Sequence, residues 1–154
     1  MELTEILVPD AVRVSNSISS KKRLLQEISE LSGDLNGLPA QKVFEALQER
    51  ELLGATGMGK GIAVPHARMA DVDRVIGYFF LLDSPIEFES VDKQPVDLVF
   101  ALLAPEDAGA DHLKALARVS RTLRSDLVCR KLRSTNDPAA LFAILTEPAA
   151  SQAA

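Results

Sequence analysis

Two apolar stretches set the framework of this chain: RVIGYFFLLDSP at residues 74–85 and PVDLVFALLAP at residues 95–105. Both are rich in large aliphatic and aromatic side chains, and each is closed by a proline. Near-continuous apolar runs of this length are typical of strands that are buried on both faces of a sheet. We therefore predict two central strands of a buried β-sheet.

Helical patterns precede these strands. The segment SSKKRLLQEISELSGD, residues 19–34, offers Ser19 and Ser20 as N-caps and predicts a helix that stops at Gly33. A second helix is predicted to start at Pro39, because proline suits the first helical turn. Its inward face is predicted to consist of Val43, Phe44 and Leu47.

A third helix is predicted after the strands, in ADHLKALARVSRTLRS at residues 110–125. Its basic side chains are expected to lie in solvent. Two short helices follow in residues 126–134 and 137–147, and Asp137 caps the second. The apolar face of the third helix is predicted to consist of Leu113, Leu116, Ala117, Ser120 and Leu123.

Together these elements predict a single α/β domain, residues 1–147, in which helices cover a small sheet, and residues 148–154 form a disordered tail. A chain of 154 residues with 47% hydrophobic side chains suits one globular domain. No apolar run reaches the roughly 20 residues that span a bilayer, and MELTEILVPD lacks the features of a signal peptide. We expect a cytoplasmic protein without membrane insertion.

Charge and cysteine content exclude further classes. The net charge of −5 argues against a nucleic-acid partner, since phosphate backbones attract basic proteins. The single cysteine, Cys129, excludes an internal disulfide. Because Cys129 lies near the apolar residues Val128 and Leu132, it is predicted to be a small buried side chain rather than a nucleophile.

The segment GATGMGKGIAVPHAR, residues 54–68, nearly matches a nucleotide-binding P-loop. Gly54, Gly59 and Lys60 fit that motif, but Gly61 occupies the position of the hydroxyl that ligates magnesium. A P-loop also runs from a strand into a helix, whereas here a helix comes first and an extended segment follows. A nucleotide site is therefore not expected.

The same segment instead predicts a surface that presents a histidine. Gly57, Gly59 and Gly61 permit positive φ angles and the close approach of another backbone. Pro65 then stiffens the backbone that carries His66. A flexible surface loop would explain the glycines, but it would not explain why the segment ends in the stiff backbone around Pro65.

His66 and His112 are the only histidines of the chain. His112 lies near a predicted helix start, where the helix dipole lowers the pKa of a histidine and keeps it neutral. A neutral imidazole donates one N–H to an anion, which suits a phosphate. The two histidines lack a third ligand in a zinc-binding pattern, so no metal site is expected.

Three segments carry a family resemblance: ERELLGATGMGKGIAVPHAR, SPIEFESVDKQPVDLVFALLAPED and HLKALARVSRTLR. They resemble the IIA components of the bacterial phosphoenolpyruvate-dependent phosphotransferase system, in the fructose/mannitol group and especially in its nitrogen-regulatory branch. The resemblance implies a mixed β-sheet flanked by α-helices. It also implies a phosphotransferase component that carries phosphate on a histidine.

The resemblance assigns the phosphorylated histidine to His66, which carries the group on its tele nitrogen, Nε2. It implies that His112 donates a hydrogen bond to the phosphate and that Arg50 stabilises the transferred group. Beyond the covalent phosphoryl group, no cofactor is implied. Supporting roles are expected for Thr56, Gly57, Gly59, Lys60, Gly61 and Arg68.

The implied partners are an HPr-type phosphocarrier and regulated proteins such as sensor kinases or potassium transporters. Two alternatives remain open at this point. In the first, the chain is a stand-alone fructose/mannitol-type IIA that passes phosphate to a sugar-specific IIB domain. In the second, it is a regulatory binding module that acts mainly unphosphorylated. A chain of this length has no room for a fused IIB domain, which favours regulation.

Overall fold

The computed structural model of the chain describes residues 1–148. After two short 3₁₀ turns, Leu3–Glu5 and Pro9–Ala11, the strands and helices alternate irregularly along the chain. Within residues 1–148, the strands are β1 Val12–Ser15, β2 Gly57–Gly59, β3 Ile62–Ala63, β4 His66–Met69, β5 Ile76–Ile86 and β6 Val96–Pro105. The α-helices of the same part of the chain are α1 Lys21–Asn36, α2 Ala40–Leu53, α3 Gly109–Arg124, α4 Asp126–Arg133 and α5 Pro138–Leu145.

The sheet is mixed and has the order β1-β5-β6-β3-β2, with β4 also paired to β6. Strands β5 and β6 are antiparallel, while β1 runs parallel to β5, and β3 and β4 run parallel to β6. The helices pack against this sheet: α2 on β4, α3 on β6 and α5 on β1. The predicted α/β class with a small mixed sheet and flanking helices is confirmed.

The two apolar stretches form the centre of the core, as predicted. Phe79 on β5 faces Phe100 on β6, and their rings meet edge to face at 6.2 Å between centroids. Both side chains are completely buried. The register of β5 against β6 shifts between Leu81 and Ile86, which lets the strand continue past Pro85.

Two predicted helix boundaries need correction. Helix α1 does not stop at Gly33 but runs to Asn36, where Gly37 adopts a left-handed conformation and ends it. Ser20 caps its first turn by accepting a hydrogen bond from the backbone of Arg23, as predicted. Pro39 precedes α2 as its N-cap residue instead of opening its first turn.

The buried face of α3 is rotated relative to the prediction. Leu113 is 67% exposed, whereas Arg118 is buried together with Val119. Arg118 donates to the Thr122 hydroxyl at 2.6 Å, so a hydrogen-bonded guanidinium occupies a position that hydrophobic spacing assigns to solvent. Cys129 is buried, as predicted. The predicted tail was residues 148–154, and all of it after residue 148 lies outside the residues that the structure describes.

Candidate functional site

Three elements meet at one cleft of about 370 Å³. Strand β4 begins at His66, α2 supplies Arg50 from its last turn, and α3 supplies His112 from its N-terminal part. The parallel pairing of β4 with β6 sets His66 beside Leu102. The cleft is lined by Arg50, His66, Arg68, Gly109, His112, Leu113 and Leu116.

The ring of His66 is held in one orientation. Its Nδ1 atom lies 2.8 Å from the carbonyl oxygen of Val64, which accepts the hydrogen bond. Because a carbonyl oxygen only accepts, Nδ1 carries the proton and Nε2 keeps its lone pair. The hydrogen bond therefore selects the tautomer in which Nε2 is nucleophilic.

Burial is the main cause of a lowered pKa at His66, and the charge of Arg50 lowers it further. The hydrogen bond to Val64 and the charge of Glu51 act in the opposite direction. The ring is consequently neutral at pH 7, as nucleophilic attack through Nε2 requires.

His112 lies next to His66, with ring centroids 5.3 Å apart and the planes tilted by 49°. Its residue is 7% exposed, and its Nδ1 atom is buried without a hydrogen-bond partner within residues 1–148. The tautomer that carries the proton on Nε2 avoids burying an N–H at Nδ1 without a partner. His112 is thereby suited to donate a hydrogen bond from Nε2.

The pKa of His112 is lowered to about 4, first by burial and then by the charges of His66 and Arg68. The sequence prediction of a neutral His112 agrees with this direction of the pKa shift. His112 is the fourth residue of α3, and its own backbone N–H already donates to Ala108 at 2.9 Å. Burial is the largest of the causes that lower the pKa of His112, and it keeps the ring neutral.

Arg50 borders the cleft beside His66. Its Nη1 atom donates to the carbonyl oxygen of Gly54 at 2.8 Å, which ties the guanidinium to the end of its own helix. The remaining donors of a guanidinium form a fork that matches two oxygens of a phosphate. Arg68 is exposed and lines the same cleft from β4.

Thr56 does not line the cleft. It is buried, and both its hydroxyl and its backbone N–H donate to the Glu51 carboxylate. Its carbonyl oxygen accepts from the backbone N–H of Val64 at 3.1 Å. Thr56 thus contacts the backbone that orients His66, not the space beside the ring.

The glycine segment forms a β2–β3 hairpin whose tip lies away from the cleft. Ile62 pairs with Leu98, four residues before the Leu102 that pairs with His66, which is roughly 13 Å along the strand. At the tip, Lys60 donates its backbone N–H to Asp92 at 2.9 Å, and its carbonyl accepts from Arg133 at 2.8 Å.

The supporting roles predicted for the residues of this segment remain predictions. The structure does not bring Gly57, Gly59, Lys60 or Gly61 into the cleft lining, and the Lys60 ammonium lies 3.7 Å from Asp126 instead. Gly59 and Gly61 have φ angles of 89° and 80°, and Gly57 lies against Ser90. These glycines serve the hairpin and its packing.

Two features of the site were not predicted from the sequence: the buried Glu51 and the exposed position of Leu113. Glu51 follows Val43 and Leu47 at a spacing of four, so a carboxylate ends an otherwise apolar stripe, and that pattern signals a buried charge. Leu113 was assigned to the core, but it lies exposed at the mouth of the cleft.

A larger cleft of about 530 Å³ lies at the opposite end of β6, near Asp97 and Arg133. Its arginine already makes a forked contact with Asp97, with two nitrogens within 3.0 Å of the carboxylate. No histidine lines it, so the smaller cleft at His66 holds the reactive groups. Within residues 1–148, no group of three His, Cys, Asp or Glu side chains is placed to hold a metal ion.

Comparison with known proteins agrees with this architecture. Residues 5–147 match the family model of the phosphoenolpyruvate-dependent sugar phosphotransferase system, EIIA 2. The chain is 46% identical to a nitrogen regulatory protein of Bradyrhizobium diazoefficiens, over 99% of this chain and 100% of that one. It is 42% identical to a nitrogen regulatory protein of Escherichia coli K12, over 96% and 91% of the two chains.

Among solved structures, the nitrogen regulatory protein IIA-Ntr of Neisseria meningitidis superposes with a TM-score of 0.87 at 36% identity. The match covers 94% of this chain and 99% of that one. The chain therefore belongs to the EIIA type 2 family of the phosphotransferase system. Within that family, its relatives place it in the nitrogen-regulatory branch. None of the helices within residues 1–148 has the length and apolar character needed to cross a membrane.

Proposed function

We propose that the protein accepts a phosphoryl group on Nε2 of His66 from an HPr-type phosphocarrier and regulates partner proteins according to its phosphorylation state. One observation carries this proposal. The Val64 carbonyl holds Nδ1 of His66 at 2.8 Å, which leaves Nε2 free in a cleft shared with His112 and Arg50.

In the proposed transfer, one P–N bond forms as another breaks. The lone pair of Nε2 forms the new P–N bond, while the electron pair of the donor's P–N bond returns to the donor's imidazole. The proton on Nδ1 stays on the ring, where the Val64 carbonyl stabilises the positive charge that the ring gains. No other group needs to add or remove a proton.

The surrounding side chains suit the charge of the transferred group. Arg50 offers a guanidinium fork to two phosphoryl oxygens, and His112 offers an N–H to a third position. Such transfer depends on positioning and on preorganised donors, because the transition state is loose and spreads charge over the equatorial oxygens. No cofactor takes part in this scheme.

Partner binding is proposed at the rim of the same cleft. Leu113 is 67% exposed beside His112, and Leu53, at the end of α2, is 86% exposed near Arg50. Exposed apolar side chains beside a reactive group favour contact with another protein. A phosphoryl dianion next to these leucines would change the charge that a partner meets.

The test uses phosphoenolpyruvate, enzyme I and an HPr-type carrier. We expect an acid-labile phosphoryl group on His66, and no label on His66→Ala. Normal labelling of folded His66→Ala would overturn the proposal. Rapid transfer from the labelled protein to a sugar-specific IIB domain would favour the alternative of a sugar IIA, and partner binding indifferent to labelling would favour a module that acts unphosphorylated.

A further inference from the structure

A buried carboxylate lies directly behind the cleft. The Glu51 side chain is 5% exposed, and its Oε2 atom lies 2.8 Å from Nζ of Lys21, at the start of α1. The same ammonium lies 4.5 Å from the ring centroid of Phe88. A buried carboxylate is costly unless it is paired and hydrogen-bonded, so its contacts indicate what it stabilises.

Glu51 closes the turn that follows α2. Its Oε2 atom accepts the backbone N–H of Thr56 at 3.1 Å, and its Oε1 atom accepts the Thr56 hydroxyl. The preceding residue, Arg50, donates to Gly54 within the same turn. Two consecutive side chains of α2 therefore hold this turn, one from the buried side and one from the cleft.

The turn is connected to the ring of His66 by backbone hydrogen bonds. The Thr56 carbonyl accepts the N–H of Val64 at 3.1 Å, and the Val64 carbonyl accepts from Nδ1 of His66 at 2.8 Å. The orientation of the ring thus depends on Val64, whose backbone is held by Thr56. Thr56 is in turn held by Glu51.

We propose that Glu51, paired with Lys21, is a positioning residue for phosphoryl acceptance. Through Thr56 it holds the carbonyl that orients His66, and through the same turn it fixes Arg50. The contribution of Glu51 to phosphoryl acceptance rests on the proposed function. Its effect on the orientation of the His66 ring does not depend on that function. In-line transfer is sensitive to such positioning, since an error of about 1 Å costs roughly a hundredfold in rate.

Glu51 also contributes to the electrostatic balance of the site. The charged and titratable groups around His66 are Arg50 and Glu51 from α2, Arg68 from β4 and His112 from α3. The negative charge of Glu51 raises the pKa of His66 against the effect of Arg50. Removing that charge leaves no carboxylate to oppose the effect of Arg50, so the pKa of His66 is expected to fall.

The first test compares Glu51→Gln with Glu89→Gln. Glu89 is the matched control, because its carboxylate also faces Lys21, at 3.8 Å, but is 79% exposed. NMR of the imidazole nitrogens reports the tautomer and pKa of His66 without any phosphoryl donor. We expect Glu51→Gln to mix the tautomers, to lower the pKa and to slow labelling about ten- to a hundredfold, and Glu89→Gln to change none of these.

A second pair of variants serves if Glu51→Gln does not fold. Thr56→Val removes the hydroxyl contact to Glu51 and is expected to slow labelling several-fold with a change in tautomer population. Thr56→Ser keeps the hydroxyl and is expected to restore both.

The inference is overturned if a folded Glu51→Gln or Thr56→Val protein keeps the wild-type tautomer and labels within twofold of the wild-type rate. If wild-type protein is never labelled but Glu51→Gln still shifts the tautomer, the proposed function fails and the positioning role stands.

Discussion

The imidazole rings of His66 and His112 lie 5.3 Å apart, although one opens a strand and the other lies near the start of a helix. Both elements pack against β6, which brings them to the same end of the sheet. His66 has a nucleophilic nitrogen, and His112 has an N–H to donate. The pair therefore suits the proposed transfer, in which His66 accepts the phosphoryl group and His112 stabilises it.

Removal of His112 is expected to slow labelling of His66 by roughly two to three powers of ten, because one preorganised donor to the developing charge is lost. Initial rates of phosphoryl transfer to His112→Ala provide the measurement. Arg121→Ala is the control, since Arg121 is an exposed residue of the same helix. A His112→Ala rate within threefold of wild type would contradict the assignment.

The effect of substituting Arg50 on the transfer rate is expected to depend on the planar geometry of the guanidinium as well as on its charge. Arg50→Ala should lose about a hundredfold in transfer rate, and Arg50→Lys should recover only part of that loss, because an ammonium lacks the planar pair of donors. The same kinetic assay distinguishes the two variants. Full recovery by lysine would show that charge alone matters at this position.

His112 is expected to make stability depend on pH. The unfolded histidine binds a proton near pH 6.5, whereas the folded one does so only near pH 4. Between these two pH values the unfolded state binds more protons than the folded state, so protonation favours unfolding. The contribution of the neutral His112 to the free energy of unfolding is therefore fully present above pH 6.5 and is lost as the pH falls towards 4.

Urea unfolding at pH 7 and pH 5 measures this effect. We expect the free energy of unfolding to fall by up to about 2 kcal/mol more in wild type than in His112→Gln, which lacks the titrating ring. Equal losses in the two proteins would indicate that the folded pKa of His112 is ordinary.

Gly57 is expected to tolerate no side chain. An added Cβ would lie 2.4 Å from the Ser90 hydroxyl oxygen and 3.0 Å from its Cα, so Gly57→Ala must displace backbone. We predict a loss of about 1–3 kcal/mol in the free energy of unfolding. Gly109→Ala is the matched control, because its Cβ would meet nothing closer than Arg68 at 3.8 Å. Thermal or urea unfolding measures both, and equal stability of the two variants would refute the steric argument.

Substitution of Lys60 tests whether the segment that resembles a P-loop takes part in phosphoryl transfer. Its side chain lies beside Asp126 and outside the cleft of His66, so Lys60→Ala is expected to label at nearly the wild-type rate. Arg68→Ala, which alters the cleft rim, is expected to reduce the rate several-fold by weakening attraction of the phosphorylated donor. Loss of labelling in Lys60→Ala would show that the hairpin tip takes part after all.

Local patterns predicted much of the fold. The apolar runs that became β5 and β6 were identified because strands buried on both faces need such composition. The caps Ser20 and Asp137 were predicted because their side chains bond the backbone nearby. The prediction for the buried face of α3 was wrong, because the contacts of the buried Arg118 with Glu2 and Glu147, which are distant in the chain, leave no trace in local hydrophobic spacing.

The sequence by itself determined the α/β class, the two central strands, the rigid presentation of His66 after Pro65 and, through its motifs, the family. These follow from local composition, backbone restriction and matched residues. Only the tertiary structure decided that His66 meets His112, that Glu51 lies behind the cleft and that the glycine hairpin points elsewhere. The physical reason is that strand register and helix packing bring together residues far apart in the chain, and local preferences do not specify those contacts.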